Sequence, residues 1–258
     1  ALEKVVKARA ASTSATTMAD NRLVYDARVR VDGLPTGLIA HELAHQWWGD
    51  VTTCKDWRHI WLNESFASYF GPMYTEYSKG RDEFDWQMYN SQQAGINIDT
   101  IQGRKPIVSV GSYTTNVYPR GASVLHMLRF ILGDKLFWKA INHYITKNQF
   151  KPVETNDLKL AVEEATGQNL FWFFDEWVYK AGHPIFKVSY TWDDSAKAIL
   201  LSVQQMQKRD SLTGIFRMPV DIGITTSSGS MTTRINITSE DSTFSISSKD
   251  FLIFLACF

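Results

Sequence analysis

The sequence predicts a mainly helical α+β domain over residues 1–183, followed by a small all-β module over residues 184–258. Three observations carry that prediction. Apolar residues recur at helical spacing from the late thirties to about residue 180. Beyond Pro184 they alternate with polar residues, which is the period of a strand with one face inward. Gly182 and Pro184 punctuate the change of texture.

The elements follow in order. Residues 1–20 carry Ala, Ser and Thr with no clear period, and 21–31 read as extended or irregular. Gly33, Pro35 and Gly37 precede a first helix built on Ile39, Ala40, Leu43, Ala44, Trp47 and Trp48, whose apolar character predicts that it is buried. A second helix covers 60–78, with Ile60, Trp61, Phe66, Ala67 and Phe70 as its buried stripe. A third runs from Asp82, as cap, to about Ile96. Residues 95–116 are rich in Gly, Ser, Thr and Asn and read as a long loop. A helix over 120–132 breaks at Gly133-Asp134, and another follows over 135–147. Thr155 is expected to cap a helix that stops at Gly167, and 171–180 reads as a last aromatic helix. In the β module, Phe186, Val188 and Tyr190 alternate, then Leu201, Val203 and Met206, then Met218, Val220, Ile222 and Ile224, then Ile235 and Ile237. Asp193-Asp194 and Ser227-Ser228-Gly229 mark turns, and the apolar run 251–258 reads as a buried strand.

One motif carries chemistry. His41-Glu42-Leu43-Ala44-His45 is an H-E-x-x-H pattern, and eighteen residues separate it from Glu64. Two histidines four apart on a helix lie about 40° apart around its axis, on one face, so both imidazoles reach one metal ion. A carboxylate from a second helix completes three protein ligands and leaves a fourth position for water, the donor count of a catalytic zinc site. Glu42, beside the first histidine, is placed to take a proton from that water. The alternative is a pair of core histidines hydrogen-bonded to carboxylates. His59, His126, His143 and His183 have no metal-ligand spacing and read as structural or exposed.

Composition sets the remaining bounds. The 258 residues are 44% hydrophobic, enough for a substantial core. Twenty-seven basic residues balance 27 acidic ones, which gives no electrostatic argument for a nucleic-acid or anionic-membrane partner. Cys54 and Cys257 are too few for a disulfide framework, and neither is needed as a ligand. The start is charged and holds no apolar run of signal-peptide length, and 251–258 is too short for a membrane span. No motif specifies a compartment or an oligomeric state.

His41-Glu42-Leu43-Ala44-His45-Gln46-Trp47-Trp48-Gly49-Asp50, Trp61-Leu62-Asn63-Glu64 and Tyr118-Pro119-Arg120-Gly121-Ala122 together resemble the gluzincin zinc aminopeptidases, the aminopeptidase N and leukotriene hydrolase type. The family strings are H-E-L-A-H-Q-W-[FW]-G, W-L-N-E-G-[FW]-A and Y-x-[KR]-G-A, and the resemblance covers roughly residues 12–205. It implies a thermolysin-like catalytic domain followed by a β-sandwich, with zinc held by His41, His45 and Glu64. It makes Glu42 the general base and Tyr118 the donor to the oxyanion of the tetrahedral intermediate, and it implies a peptide substrate. A neutral phenol suits that role. Gly121 is expected to allow close approach of backbone and helix. Ser65 replaces the family's glycine, a small change on a helix.

The sequence departs from the family at the amine site. The family's Gly-[Ala/Gly]-Met-Glu-Asn motif falls on residues 8–12, and Ala11 stands where its glutamate would bind a free amino terminus. The family's N-terminal β domain is also missing from this chain. Either the chain is a fragment with a foreign start, or it is a variant with an unanchored amine site. Three functions follow: a zinc aminopeptidase, a zinc-binding module with little or no peptidase activity, or an endopeptidase or epoxide hydrolase on the same site.

Overall fold

In the computed structural model, residues 36–109 and 114–248 are described in full, and Leu252–Cys257 for the backbone alone. The readings made on Ala11, on 21–31 and on Gly33 and Pro35 lie outside the described residues. The chain forms two compact units, one up to Phe174 and one from Asp175 onward. The first is mainly helical and the second is built of antiparallel strands, so the α+β class holds.

The first helix of the first unit, α1 (Thr36–Ala44), carries His41 and Glu42, and His45 falls in the turn that follows. This helix is not buried all round, as its apolar residues suggested. Ile39 and Leu43 are exposed while Ala44 and Trp48 are buried, so only one stripe faces the core. Trp48 stacks on Phe66 with ring centroids 4.0 Å apart. Phe66 lies on α2 (Trp61–Lys79), the expected second helix. Ahead of α2 a 3-10 turn spans Trp57–His59, because the Asp56 carboxylate accepts from the Arg58 N–H and tightens the chain there.

Helix α3 (Arg81–Gln102) corrects two expectations. Gly80, not Asp82, occupies the cap, and Asp82 sits in the first turn, where its charge favours the helix dipole. The helix also continues through Gly95 to Gln102, where the composition suggested a loop. A Cβ at Gly95 would sit 3.4–3.5 Å from Arg120, so α3 and the helix carrying Arg120 touch at that point. Tertiary contact there overrides a weak local propensity.

That partner is α4 (Pro119–Asn148), entered through a 3-10 turn at Thr115–Val117 and opened by Pro119, whose missing N–H costs nothing at that position. The break predicted at Gly133-Asp134 is a kink: Gly133 has φ 71°, a conformation that side-chain-bearing residues rarely adopt. Arg129 spans it, bonding Asp134 at 2.7 Å and, on α2, Glu76 at 2.9 Å.

In α5 (Thr155–Thr166), Glu154 is the cap, in a box with Asp157, and Gly167 ends the helix in the left-handed conformation. Thr155 is instead the first helical residue, fully buried, and its hydroxyl accepts from the Trp61 indole at 2.9 Å and lies 3.0 Å from His59 Nδ1. A two-stranded parallel pair, β1 (Thr52–Cys54) with β2 (Lys151–Val153), ties the two ends of the unit. Finally, α6 (Phe171–Phe174) is short, and Asp175–Tyr179 winds as a π-turn at the start of the second unit rather than continuing as α-helix.

The second unit holds β3 (Phe186–Asp193), β4 (Ala198–Gln205), β5 (Met218–Thr226), β6 (Gly229–Ile237), β7 (Asp241–Ser247) and β8 (Leu252–Cys257). They form two antiparallel sheets, ordered β3-β4-β7 and β6-β5-β8. Ile199, Leu201, Val203, Val220, Ile222, Ile224, Ile235, Ile237 and Ile246 share one core. The turns at Asp193-Asp194 and Ser227-Ser228-Gly229 stand where expected. Val188 and Tyr190, on β3 at the edge of its sheet, are exposed, and Met206 lies past the end of β4 and is exposed too. Among the described residues no helix is long and apolar enough to cross a membrane.

Candidate metal centre

The α1–α2 crossing brings His41, His45 and Glu64 together. Glu64 comes from the first turn of α2. The Nε2 atoms of His41 and His45 are 3.2 Å apart, and Glu64 Oε2 lies 3.5 Å from the first and 3.4 Å from the second. Four tetrahedral ligands about 2.0–2.2 Å from a zinc ion stand roughly 3.3–3.5 Å from one another. The observed triangle therefore has the dimensions of one face of a zinc tetrahedron. Among the described residues no other group of three such side chains converges in this way.

The outer contacts fix the rings. His45 Nδ1 is 3.0 Å from the Trp48 carbonyl, which can only accept, so Nδ1 carries the proton and Nε2 keeps its lone pair. His41 Nδ1 lies 3.4 Å from the Ser68 hydroxyl. The Nε2 atoms of both imidazoles and a carboxylate oxygen then face one point. A single proton can satisfy only part of that set, whereas a divalent cation satisfies all three at once. The electrostatics agree. Burial alone would raise the Glu64 pKa, yet the two imidazoles hold it down to about 2. Burial alone would lower that of His45, yet Glu64 and the Trp48 carbonyl raise it.

Glu42 follows His41 on α1, is half-buried, and its charge acts on His45. Tyr118 caps α4. Its ring centroid is 6.2 Å from that of His41 with the planes 28° apart. The structure thus brings His41, His45 and Glu64 together and sets the Tyr118 ring beside His41. Of the other four histidines, His59 pairs with Thr155, His126 with Tyr69 and His143 with Glu164, and His183 belongs to the second unit.

Sequence reasoning missed the supports. Ser68 follows Glu64 by one helical turn on the same face, a spacing that could have flagged it. Ser65 was read as a minor change. It is fully buried, and its hydroxyl donates to the Val117 carbonyl at 2.5 Å. A Cβ at Gly121 would lie 1.8 Å from Ser65 Oγ, so the close approach expected of Gly121 is made to Ser65.

Aminopeptidase 2 of Candida albicans is 30% identical over 217 residues, 79% of this chain and 23% of that protein. Tricorn protease-interacting factor F2 of Thermoplasma volcanium is 31% identical over 200 residues, 74% of this chain and 25% of its own length. A crystal structure of Legionella pneumophila aminopeptidase A in complex with aspartic acid matches with a TM-score of 0.67 at 22% identity, over 82% of this chain and 24% of that one, which speaks to the fold. The chain spans about a quarter of the length of these relatives. The profile described as the peptidase family M1 domain matches residues 9–177, and with that match the chain belongs to peptidase family M1.

Proposed function

We propose that this chain carries the catalytic site of a zinc metallopeptidase that releases amino-terminal residues from peptides, on a thermolysin-like helical unit. The observation that carries the reading is the triangle of His41, His45 and Glu64, with edges of 3.2–3.5 Å, beside the Tyr118 ring. When bound, zinc would polarise both a water molecule and the scissile carbonyl. The chain's own groups do the rest. The Glu42 carboxylate takes a proton from the attacking water and returns it to the leaving amine. The Tyr118 phenol donates a hydrogen bond to the oxygen on which negative charge develops. The Trp48 carbonyl and Ser68 hold the imidazoles in the orientation that offers Nε2.

The aminopeptidase reading, as against an endopeptidase or epoxide hydrolase, is supported by the names of the relatives. Ala11, at the position of the family's amine-binding glutamate, favours the opposite. Comparing free with N-acetylated peptides separates the two: equal rates on both would exclude recognition of the amine. The mechanism itself is tested by Glu42→Gln. That variant keeps one zinc per chain by metal analysis and loses turnover of aminoacyl amides. Retained peptidase activity would refute the role of Glu42. Zinc content with no hydrolysis by the unmodified chain would favour the zinc-binding module instead.

A further inference from the structure

Tyr118 joins the short 3-10 turn at Thr115–Val117 to α4, and that junction is gripped from both sides by one buried carboxylate. Asp99, on α3, is 7% exposed. Its Oδ1 accepts from the Asn116 side-chain amide at 2.7 Å, and its Oδ2 lies 3.4 Å from Arg120 Nη1. Asn116 and Arg120 are the residues two before and two after Tyr118, and both are buried. The Thr114 hydroxyl accepts from the Asn116 N–H at 3.2 Å. Between them, the Val117 carbonyl takes the Ser65 hydroxyl.

Burying a carboxylate and a guanidinium is expensive and is poor evidence for stability alone. A counter-ion for Arg120 would need only one carboxylate oxygen. Here the second oxygen closes the loop on the other flank of Tyr118. The result is a bracket across residues 116–120, anchored to a regular helix.

We propose that Asp99 is a positioning residue for Tyr118, fixing the aim of the phenol through Asn116 on one side and Arg120 on the other. The proposal rests on Tyr118 being the oxyanion donor. Such a donor must meet the developing charge at about 2.7–3.1 Å, and a displacement of about 1 Å can cost on the order of a hundredfold in rate. A single 3-10 turn at the mouth of a helix, held by two backbone bonds of 3.2–3.3 Å, does not hold that tolerance unaided.

The test uses Asp99→Asn and Asn116→Ala, each alone and combined with Tyr118→Phe, in the full chain loaded with zinc. Asn116→Ala leaves the Asp99–Arg120 pair intact, so it carries the test if Asp99→Asn fails to fold. Each single variant is expected to lower kcat on an aminoacyl amide about tenfold or more, with KM and zinc content unchanged. Each should also speed hydrogen exchange at the Val117 and Tyr118 amides, which donate to the Thr114 and Thr115 carbonyls. In the Tyr118→Phe background neither should lower kcat further. The same fractional loss in that background overturns the proposal, and so does unchanged exchange at those two amides. If Tyr118→Phe alone leaves kcat intact, the oxyanion reading fails. The exchange measurement then decides by itself whether Asp99 holds the turn.

Discussion

Gly121→Ala is the sharpest perturbation that the structure offers. The new Cβ would sit 1.8 Å from Ser65 Oγ and 2.6 Å from Ser65 Cβ. Carbon atoms in contact stand about 3.5–4.0 Å apart. Rotating Ser65 removes the first clash and sacrifices its bond to the Val117 carbonyl, but no rotation moves its Cβ. One helix must then shift by about 1 Å. Overpacking costs about 1–3 kcal/mol, and the lost buried hydrogen bond adds about 1 kcal/mol. The expected loss is therefore about 3 kcal/mol, a fall in the melting temperature of the helical unit on the order of 10 °C. Ser65→Gly in the same chain tests the cause. With that side chain gone, the nearest remaining atom is the residue-65 Cα at 3.6 Å, an ordinary contact. The double variant should be more stable than Gly121→Ala by about 1–2 kcal/mol, although Ser65→Gly alone destabilises through its lost hydrogen bond and a glycine in a helix. Urea unfolding followed by tryptophan fluorescence measures all four proteins. A Gly121→Ala loss below about 0.5 kcal/mol, or a double variant no more stable than the single, refutes the reasoning.

Tyr118→Phe should lower kcat by about a hundred- to a thousandfold with KM and zinc content unchanged, as expected for a lost oxyanion donor; steady-state kinetics with metal analysis check it. Thr155→Val leaves the buried Trp61 indole N–H without its acceptor and should cost about 2 kcal/mol in urea unfolding. His126 gives a pH dependence. Burial first, then Arg81 and Arg129, push its pKa from 6.5 down to about 4. The unfolded chain therefore binds a proton at His126 that the folded chain refuses between those values. Stability present above pH about 6.5 should decline as the pH falls toward about 4, by no more than about 3 kcal/mol. Subtracting the pH profile of a His126→Asn variant isolates this slope, and identical profiles would exclude it.

What the sequence made legible is what short-range spacing encodes. His41 and His45 lie four residues apart at the end of one helix, so their convergence follows from short-range spacing. The break at Gly133 and the stop at Gly167 are equally local, being backbone conformations that favour glycine. The reading weakened where a partner distant in sequence decides. Residues 95–102 look like loop by composition, but the contact with Arg120 and the bonds of Asp99 keep them helical. Thr155 looks like a cap, but Glu154 can serve there, and the Thr155 hydroxyl is claimed by Trp61 and His59. β1 and β2 are three residues each, too short for alternation to register. In β3 the alternation was visible, but not whether its inner face would be covered.

The same distinction explains why the Ser65–Gly121 contact matters more than either residue suggests. Ser65 directly follows the proposed ligand Glu64 on α2, and Gly121 lies three residues beyond Tyr118 on α4. Ser65 also bonds Val117, the residue just before Tyr118. One buried side chain thus sets the distance between the helix that offers the carboxylate and the turn that offers the phenol. The proposed metal site and the proposed oxyanion donor are recognised separately as sequence strings, yet the proposed chemistry requires a fixed separation between them. That separation is set by the Ser65 hydroxyl and by the hydrogen atom that Gly121 has in place of a side chain. A substitution there need touch neither ligand nor donor to weaken catalysis: moving α2 against α4 displaces one with respect to the other.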